Sequence, residues 1–393
     1  MLQGLDTVDW LNLKHNFGTA ENLPGLLRQV LSDEAETRRK AFINLKDCIC
    51  HQGTTVEATA PVIPFLIQML AMEGFQNKAG ILAFFVIELI PCDYWEYYDP
   101  PEWTPWDADI RREVAKGLPV YLNLLDDPDH RVRIWAITVL FSTWFPEDHA
   151  STIATALRQR ITVEVDEGVK TLAVIGLGAL VAGYRQILAG RIAEDIRLFQ
   201  HFWQSEQGAL RYVAGSSLTR LLEDQSPEDV IQRLVLGMAR PELSERPSGI
   251  VLPKFLVEGT IITEETDAIV ALSHLSPERR LRAYTDALNL TDTAEQARLI
   301  AGTLLENIFN GSRGMISTTG HTAKAKDGTP IVEYQATRQE RSLDTLTNEQ
   351  KQAIRLVLEA DKMWEIPNNL LERFGIFGSR EKLLARLKKE GLA

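Results

Sequence analysis

Apolar residues recur along this chain at helical rather than alternating spacing, and they do so within a longer rhythm of roughly 40 residues. Three segments place a proline between a branched apolar residue and a further apolar run: Leu23-Pro24-Gly25-Leu26-Leu27, Ile63-Pro64-Phe65-Leu66-Ile67 and Leu118-Pro119-Val120-Tyr121-Leu122. Proline lacks the N–H that an interior turn needs but is tolerated in the first turn, so each segment is expected to open a helix. About one helix later a second pattern follows, in which acidic residues precede a basic residue and then small and apolar residues at helical spacing. Its clearest copy runs from Leu124 through Asp126-Asp127-Pro128-Asp129-His130-Arg131-Val132-Arg133 to Ala136. Acids at such a position suit a helix start, where they face unpaired N–H groups and the positive end of the macrodipole. Weaker copies place Arg38, Lys78, Lys170, Arg211 and Arg298 three residues before Ala41, Ile81, Ala173, Ala214 and Ala301. With Arg133 included, successive basic residues lie 40, 55, 37, 41 and 87 apart; the last interval accommodates two units, with Lys254 as a poor marker between them.

Two helices per ~40 residues, with an Asp-rich turn between them and a basic residue on the second, resemble the HEAT repeat, and the Leu118 to Leu140 unit carries the likeness most strongly. A narrower resemblance rests on Asp9-Trp10, Leu13, His15, Phe17-Gly18, Ala20 and Leu23-Pro24. It continues in His51-Gln52-Gly53-Thr54 and Ala58-Thr59-Ala60-Pro61. These residues look like the opening of a family of bacterial HEAT-repeat proteins, over roughly the first 70 residues. That resemblance implies a fold and a protein-binding role, without a reaction. The expected fold is all-α: a HEAT-like α-solenoid of seven to nine stacked helix pairs with atypical capping ends, since no pair buries its apolar face alone. Residues 1–309 would form the repeats, 310–346 a linker or small hairpin, and 347–393 a C-terminal helical cap.

The rhythm breaks twice. An insertion at 91–109 accounts for the 55-residue interval. From Pro91 to Asp107 it holds six aromatics, five acids, four prolines and no base. Prolines this dense cannot continue a helix, so a loop is expected, and such insertions often lie on a binding face. Either the rings pack back over the second and third repeats, or Asp93, Tyr94, Trp95, Glu96, Tyr97, Tyr98, Trp103 and Trp106 form a recognition patch, Tyr and Trp being favoured at binding hot spots. Asp93, Glu96, Asp99, Glu102 and Asp107 would select a basic peptide or protein surface and repel phosphates.

The second break, Asn310 to Thr347, is punctuated by Gly311, Gly314, Gly320 and Gly328. Asp327-Gly328 can join short extended runs around Ile316 and Ile331 to Tyr334. A linker or hairpin and a ligand-gated flap are both open readings. Past it, Leu346-Thr347-Asn348-Glu349-Gln350 offers a threonine cap, and Leu370, Leu371, Phe374, Ile376 and Phe377 are expected to seal the last repeat.

Net charge excludes some partners. With 42 basic and 54 acidic residues among 393, the formal charge of −12 repels nucleic acid and anionic surfaces. The longest relevant apolar stretch, Thr171 to Tyr184, is too short for the ~18 residues of a membrane span, and the amino terminus lacks the anatomy of a signal peptide. Three cysteines, Cys48, Cys50 and Cys92, suit a reducing compartment, so a cytoplasmic protein with no nucleic-acid or membrane partner is expected.

Chemistry is sparse. On one helix Cys48 and Cys50 would point about 200° apart, which cannot hold a shared tetrahedral ion, and His51 is expected to end that helix near its carboxyl dipole or to bond a carbonyl across the Gln52-Gly53 turn. The seven histidines include no His-Glu pair of the kind that HEAT-fold iron hydroxylases resembling deoxyhypusine hydroxylase use for metal. Gly176, Gly178 and Gly183 suit close helix packing better than a dinucleotide site, and Ser142, Ser216 and Ser217 sit in no nucleophile motif. Asp33, Asp126 and Asp166 with Arg38, Arg133 and Lys170 are expected to bridge successive repeats as a partly buried ladder. No cofactor and no catalytic residue is expected. The reading is a non-enzymatic scaffold that binds a protein or cationic peptide, with a bilin lyase or chaperone, a toxin immunity protein and a HEAT-like DNA glycosylase as alternatives.

Overall fold

The computed structural model describes residues 2–51, 54–89, 106–141, 145–240, 255–257, 260–262, 264–309, 316–324, 330–338, 341–365 and 370–389. Helix dominates: seventeen α-helices lie among the described residues, and strands are confined to four two-stranded antiparallel pairs. The chain divides into two compact units, the first holding the described residues to Leu221 with those of 246–263, the second the remainder. No described helix is long and apolar enough to cross a membrane.

The first unit begins with β1 (Lys14–His15) paired to β2 (Gly18–Thr19), then α1 (Leu23–Val30) packed on α2 (Ala35–Ile49). Next come β3 (Cys50–His51), β4 (Thr54–Thr55), α3 (Thr59–Ala71), α4 (Lys78–Ile87), α5 (Asp107–Ala115), α6 (Leu118–Asn123) and α7 (His130–Phe141). The remaining helices are α8 (Ala150–Val163), α9 (Glu167–Gly183), α10 (Ile192–Trp203) and α11 (Gly208–Leu222), and β5 (Phe255–Val257) pairs with β6 (Thr260–Ile262). α3 packs on α5, α4 on α7, and α9 against both α7 and α8. The core is aliphatic along α9, where Val169, Ala173, Val174, Leu177 and Val181 are wholly buried.

Pro24 and Pro119 occupy first turns, as their surroundings predict, but Pro64 is interior to α3. That helix starts five residues earlier because Thr59 is buried and bonded on both sides: its hydroxyl donates to the Ile49 carbonyl at 2.5 Å and accepts from the Val56 N–H at 2.9 Å. Pro61, in the first turn, is the proline that opens this helix.

The six basic residues lie in opening turns of α2, α4, α7, α9, α11 and α15 (Ala294–Ile308), but the expected ladder has other partners. Arg38 donates to the carbonyls of Ser32 and Asp33, and Asp166 caps α9 by accepting the Val169 N–H at 3.0 Å. Links between helix pairs come instead from Lys46 with Glu88, Lys78 with Asp127 at 3.0 Å, Arg158 with Asp195 at 2.7 Å, and Arg133 with Glu164 at 3.0 Å. Arg160 adds ion pairs to Glu164 at 3.1 Å and to Asp126 at 2.9 Å. Arg133 shows the ambiguity: it donates to the carbonyls of Asp127 and Pro128 in the turn before it and also pairs with Glu164 ahead of α9, which position alone does not resolve.

Gly176 and Gly178 do serve close packing. A Cβ on Gly176 would sit 2.6 Å from Phe141 Cδ1, and one on Gly178 would sit 2.2 Å from Ser217 Oγ and 3.3 Å from its Cα. Gly183 has open space around it. α2 stops at Ile49, so Cys50 and His51 are strand residues rather than helical ones. Both Cys48 and Cys50 are buried, and the Cys50 thiol donates to the Glu88 carbonyl.

In the second unit α12 (Glu228–Ala239) packs on α13 (Glu264–Ser273) and α14 (Pro277–Leu290). α15 packs on a 3-10 turn at Asp361–Glu365 and on α16 (Asn348–Glu359), which packs in turn on α17 (Arg380–Lys389). Within 310–346, β7 (Ile316–Lys324) pairs antiparallel with β8 (Pro330–Arg338) in nine-residue strands, longer than the short runs expected; Asp327-Gly328 lies outside the described residues. Thr347 caps α16 in a capping box with Gln350, so Thr347→Ala should cost about 1 kcal/mol, read from urea denaturation of the full chain. Leu370, Leu371, Phe374 and Ile376 are buried, whereas Phe377 is 40% exposed.

Candidate functional site

Of the eight aromatic and acidic residues expected to form the patch, Asp93, Tyr94, Trp95, Glu96, Tyr97, Tyr98 and Trp103 lie outside the described residues. Trp106 is described, and it is half-buried at the start of α5, where its carbonyl accepts the Ile110 N–H at 2.9 Å. The insertion therefore ends sooner than position 109. From Asp107 the chain is helical, because no proline lies between Pro105 and Pro119, Asp107 and Asp109 favour a helix N-terminus, and Ile110 and Val114 sit one turn apart. Both apolar side chains are buried, which holds α5 on α3. Asp107 is itself buried and accepts a hydrogen bond from the Thr55 hydroxyl at 3.1 Å, so this acid is a structural tie and is removed from the ligand-facing set.

Beside α5 lies a cleft of about 680 Å³, lined by Arg111, Arg112, Lys116, Pro119, Phe145 and His149 among others. Its wall is the end of an edge-to-face series of rings. Phe85 meets Tyr121 at 6.3 Å, Tyr121 meets Phe145 at 6.2 Å, and Phe145 meets His149 at 6.3 Å between centroids. Such geometry sets the positive edge of one ring against the negative face of the next. Tyr121 is anchored in it: its hydroxyl donates to the Val114 carbonyl at 3.0 Å, and burial holds its phenol far above the ordinary range. Gly117 is required beneath it, since a Cβ there would come within 2.3 Å of the Tyr121 oxygen.

The rim is cationic. Arg112 pairs with Asp109 at 2.7 Å and Lys116 with Glu113 at 2.7 Å. Arg112 and Lys116 are exposed, so these pairs are worth roughly 0–1 kcal/mol and yield readily to a competing anion. Burial draws the Arg111 guanidinium below its ordinary value, against the opposing pull of the Asp107 carboxylate. Sequence reading missed this cleft because its residues come from three segments with no shared motif. The one available signal was the pair Arg111-Arg112 directly after an acidic, base-free stretch.

Ser216 and Ser217 are wholly buried in α11, where the Ser217 hydroxyl donates to the Val213 carbonyl and that of Ser216 accepts from Arg220. His51 is exposed and packs edge-on against Phe17, 5.8 Å between ring centroids. No three His, Cys, Asp or Glu side chains gather as a metal site among the described residues. No protein-family model matches the chain, and no curated protein sequence matches it.

Proposed function

We propose that this chain is a non-enzymatic, HEAT-like repeat protein of the cytoplasm that binds another protein, or a cationic peptide, through the acidic, aromatic segment ahead of α5. The observation that supports this reading is the segment between α4 and α5, which holds six aromatics and four prolines, together with α5 after it, which lines a cleft with an aromatic wall. Asp93, Glu96, Asp99 and Glu102 supply a field for lysine and arginine, while Tyr94, Trp95, Tyr97, Tyr98, Trp103 and Trp106 supply contact area at low entropic cost. Arg112 and Lys116, on the cleft rim, favour a partner whose basic residues alternate with acids.

Titration of the full chain with a Lys/Arg-rich peptide, followed by tryptophan fluorescence, tests the proposal. Binding should weaken with added salt, because the attraction is between exposed charges. The double substitution Trp103→Ala and Trp106→Ala should weaken it at least tenfold, about 1.4 kcal/mol, with an unchanged helical CD signal. Equal affinity of the double variant would overturn the assignment of these rings.

A further inference from the structure

We infer that β7 is a dimerisation edge, pairing antiparallel with β7 of a second copy of this chain. The β7–β8 hairpin stands apart from the other strand pairs, which are two or three residues long, while here nine residues on each side are in continuous register from Ile316 opposite Arg338 to Lys324 opposite Pro330. Each strand pairs only with the other among the described residues. A lone two-stranded hairpin is marginal in water, whereas three or more strands can be stable, so long strands of this kind gain from a further partner.

The two edges differ in how they are guarded. β8 opens on Pro330, which has no N–H to offer, and carries charges at Glu333 and Arg338. β7 reads Ile-Ser-Thr-Thr-Gly-His-Thr-Ala-Lys, with no proline, no acid, and four β-branched residues at 316, 318, 319 and 322. Its only always-charged residue, Lys324, is at the very end.

The sequence of β7 is also compatible with its own reverse. An antiparallel pair with Gly320 on the two-fold axis sets Thr318 opposite the partner's Thr322, Thr319 opposite the partner's His321, Ser317 opposite the partner's Ala323, and Ile316 opposite the partner's Lys324. No like charges oppose one another, and Thr–Thr pairs are favourable across strands. The result is a four-stranded antiparallel sheet in the order β8, β7, partner β7, partner β8, with the isologous symmetry common to homodimers. Because each copy carries −12, association should tighten as salt screens their mutual repulsion, the reverse of the salt response expected for peptide binding.

Light scattering of the full chain over a concentration series should show the mass rising from 44.2 kDa toward twice that value. In a Cys92→Ser background, Gly320→Cys should yield a covalent dimer on mild oxidation and Tyr334→Cys, on the guarded strand, should not. Thr318→Pro removes an N–H from the outward edge, because Pro330 opposite Lys324 leaves the odd-numbered residues of β7 bonded to β8; checked for an unchanged helical CD signal, it should be monomeric. A chain that stays monomeric at its highest soluble concentration overturns the inference. So does a dimer that Thr318→Pro leaves intact, or one in which only Tyr334→Cys crosslinks.

Discussion

Glu164→Gln should destabilise the first unit by about 3 kcal/mol, measured as a lower urea midpoint at neutral pH. The Glu164 side chain is completely buried, held by Arg133 at 3.0 and 3.1 Å and by Arg160 at 3.1 Å. It also accepts the N–H groups of Val165 and Asp166 at 3.0 and 2.9 Å. Glutamine keeps the shape and removes the charge, which takes the carboxylate from the mostly buried Arg133 and leaves the mostly buried Arg160 with only the exposed Asp126. Burial alone would raise this carboxyl, but the hydrogen bonds from Arg133 and Asp166 and the charges of both arginines outweigh it and hold the group below its usual value. A carboxylate depressed in the folded state contributes stability that is complete above its unfolded value near 4.5 and is lost as pH falls through the folded one. The gap between wild type and variant should therefore be constant near neutrality and close as pH drops below about 4.5. Glu36 is the control. Hydrogen bonding from Arg39 lowers it to about 2, yet it is exposed, and Glu36→Gln should leave the midpoint unmoved. Arg133→Ala removes the other half of the same tie, so any loss of binding in that variant should be read first as loss of fold.

Gly178→Val should be comparably damaging, at about 3 kcal/mol. The nearest obstacle, Ser217 Oγ, is the end of a rotatable side chain, but Ser217 Cβ at 2.7 Å and Cα at 3.3 Å belong to the framework of α11 and can clear only if the helix shifts. In the same helix Gly183→Ala meets nothing within 4 Å and should cost nothing, since alanine has the better helix propensity. Thermal denaturation of the pair separates packing from propensity, and an equal response of both variants would show that helix packing is not what Gly178 provides.

These two sites mark how far the sequence could be read. Helical spacing and the basic residues at 38, 78, 133, 170, 211 and 298 located opening turns, because amphipathic periodicity and helix-start chemistry are local properties. The glycines of α9 were legible for the same reason: small residues inside an apolar helix have few uses beyond close approach. Pairing was not legible. Arg133 had Asp126 seven residues away in sequence, but took Glu164 from the next helix pair, and nothing local distinguishes the two. Pro64 misled because a buried, doubly bonded Thr59, visible only in three dimensions, set the start of α3. At the candidate site the dense prolines and rings were evident, while the true end of the insertion at Trp106 and the burial of Asp107 depended on Thr55, 52 residues away. The cleft, assembled from α5, α6 and the turn before α8, left no linear trace.

Hydrogen exchange of the full chain, with and without a saturating Lys/Arg-rich peptide, measures directly whether a partner sits on the segment ahead of α5. Protection concentrated in residues 91–106 and the first turns of α5, with the rest of the chain unchanged, is the predicted result. Protection confined to other elements, or none while the peptide is demonstrably bound, would contradict it.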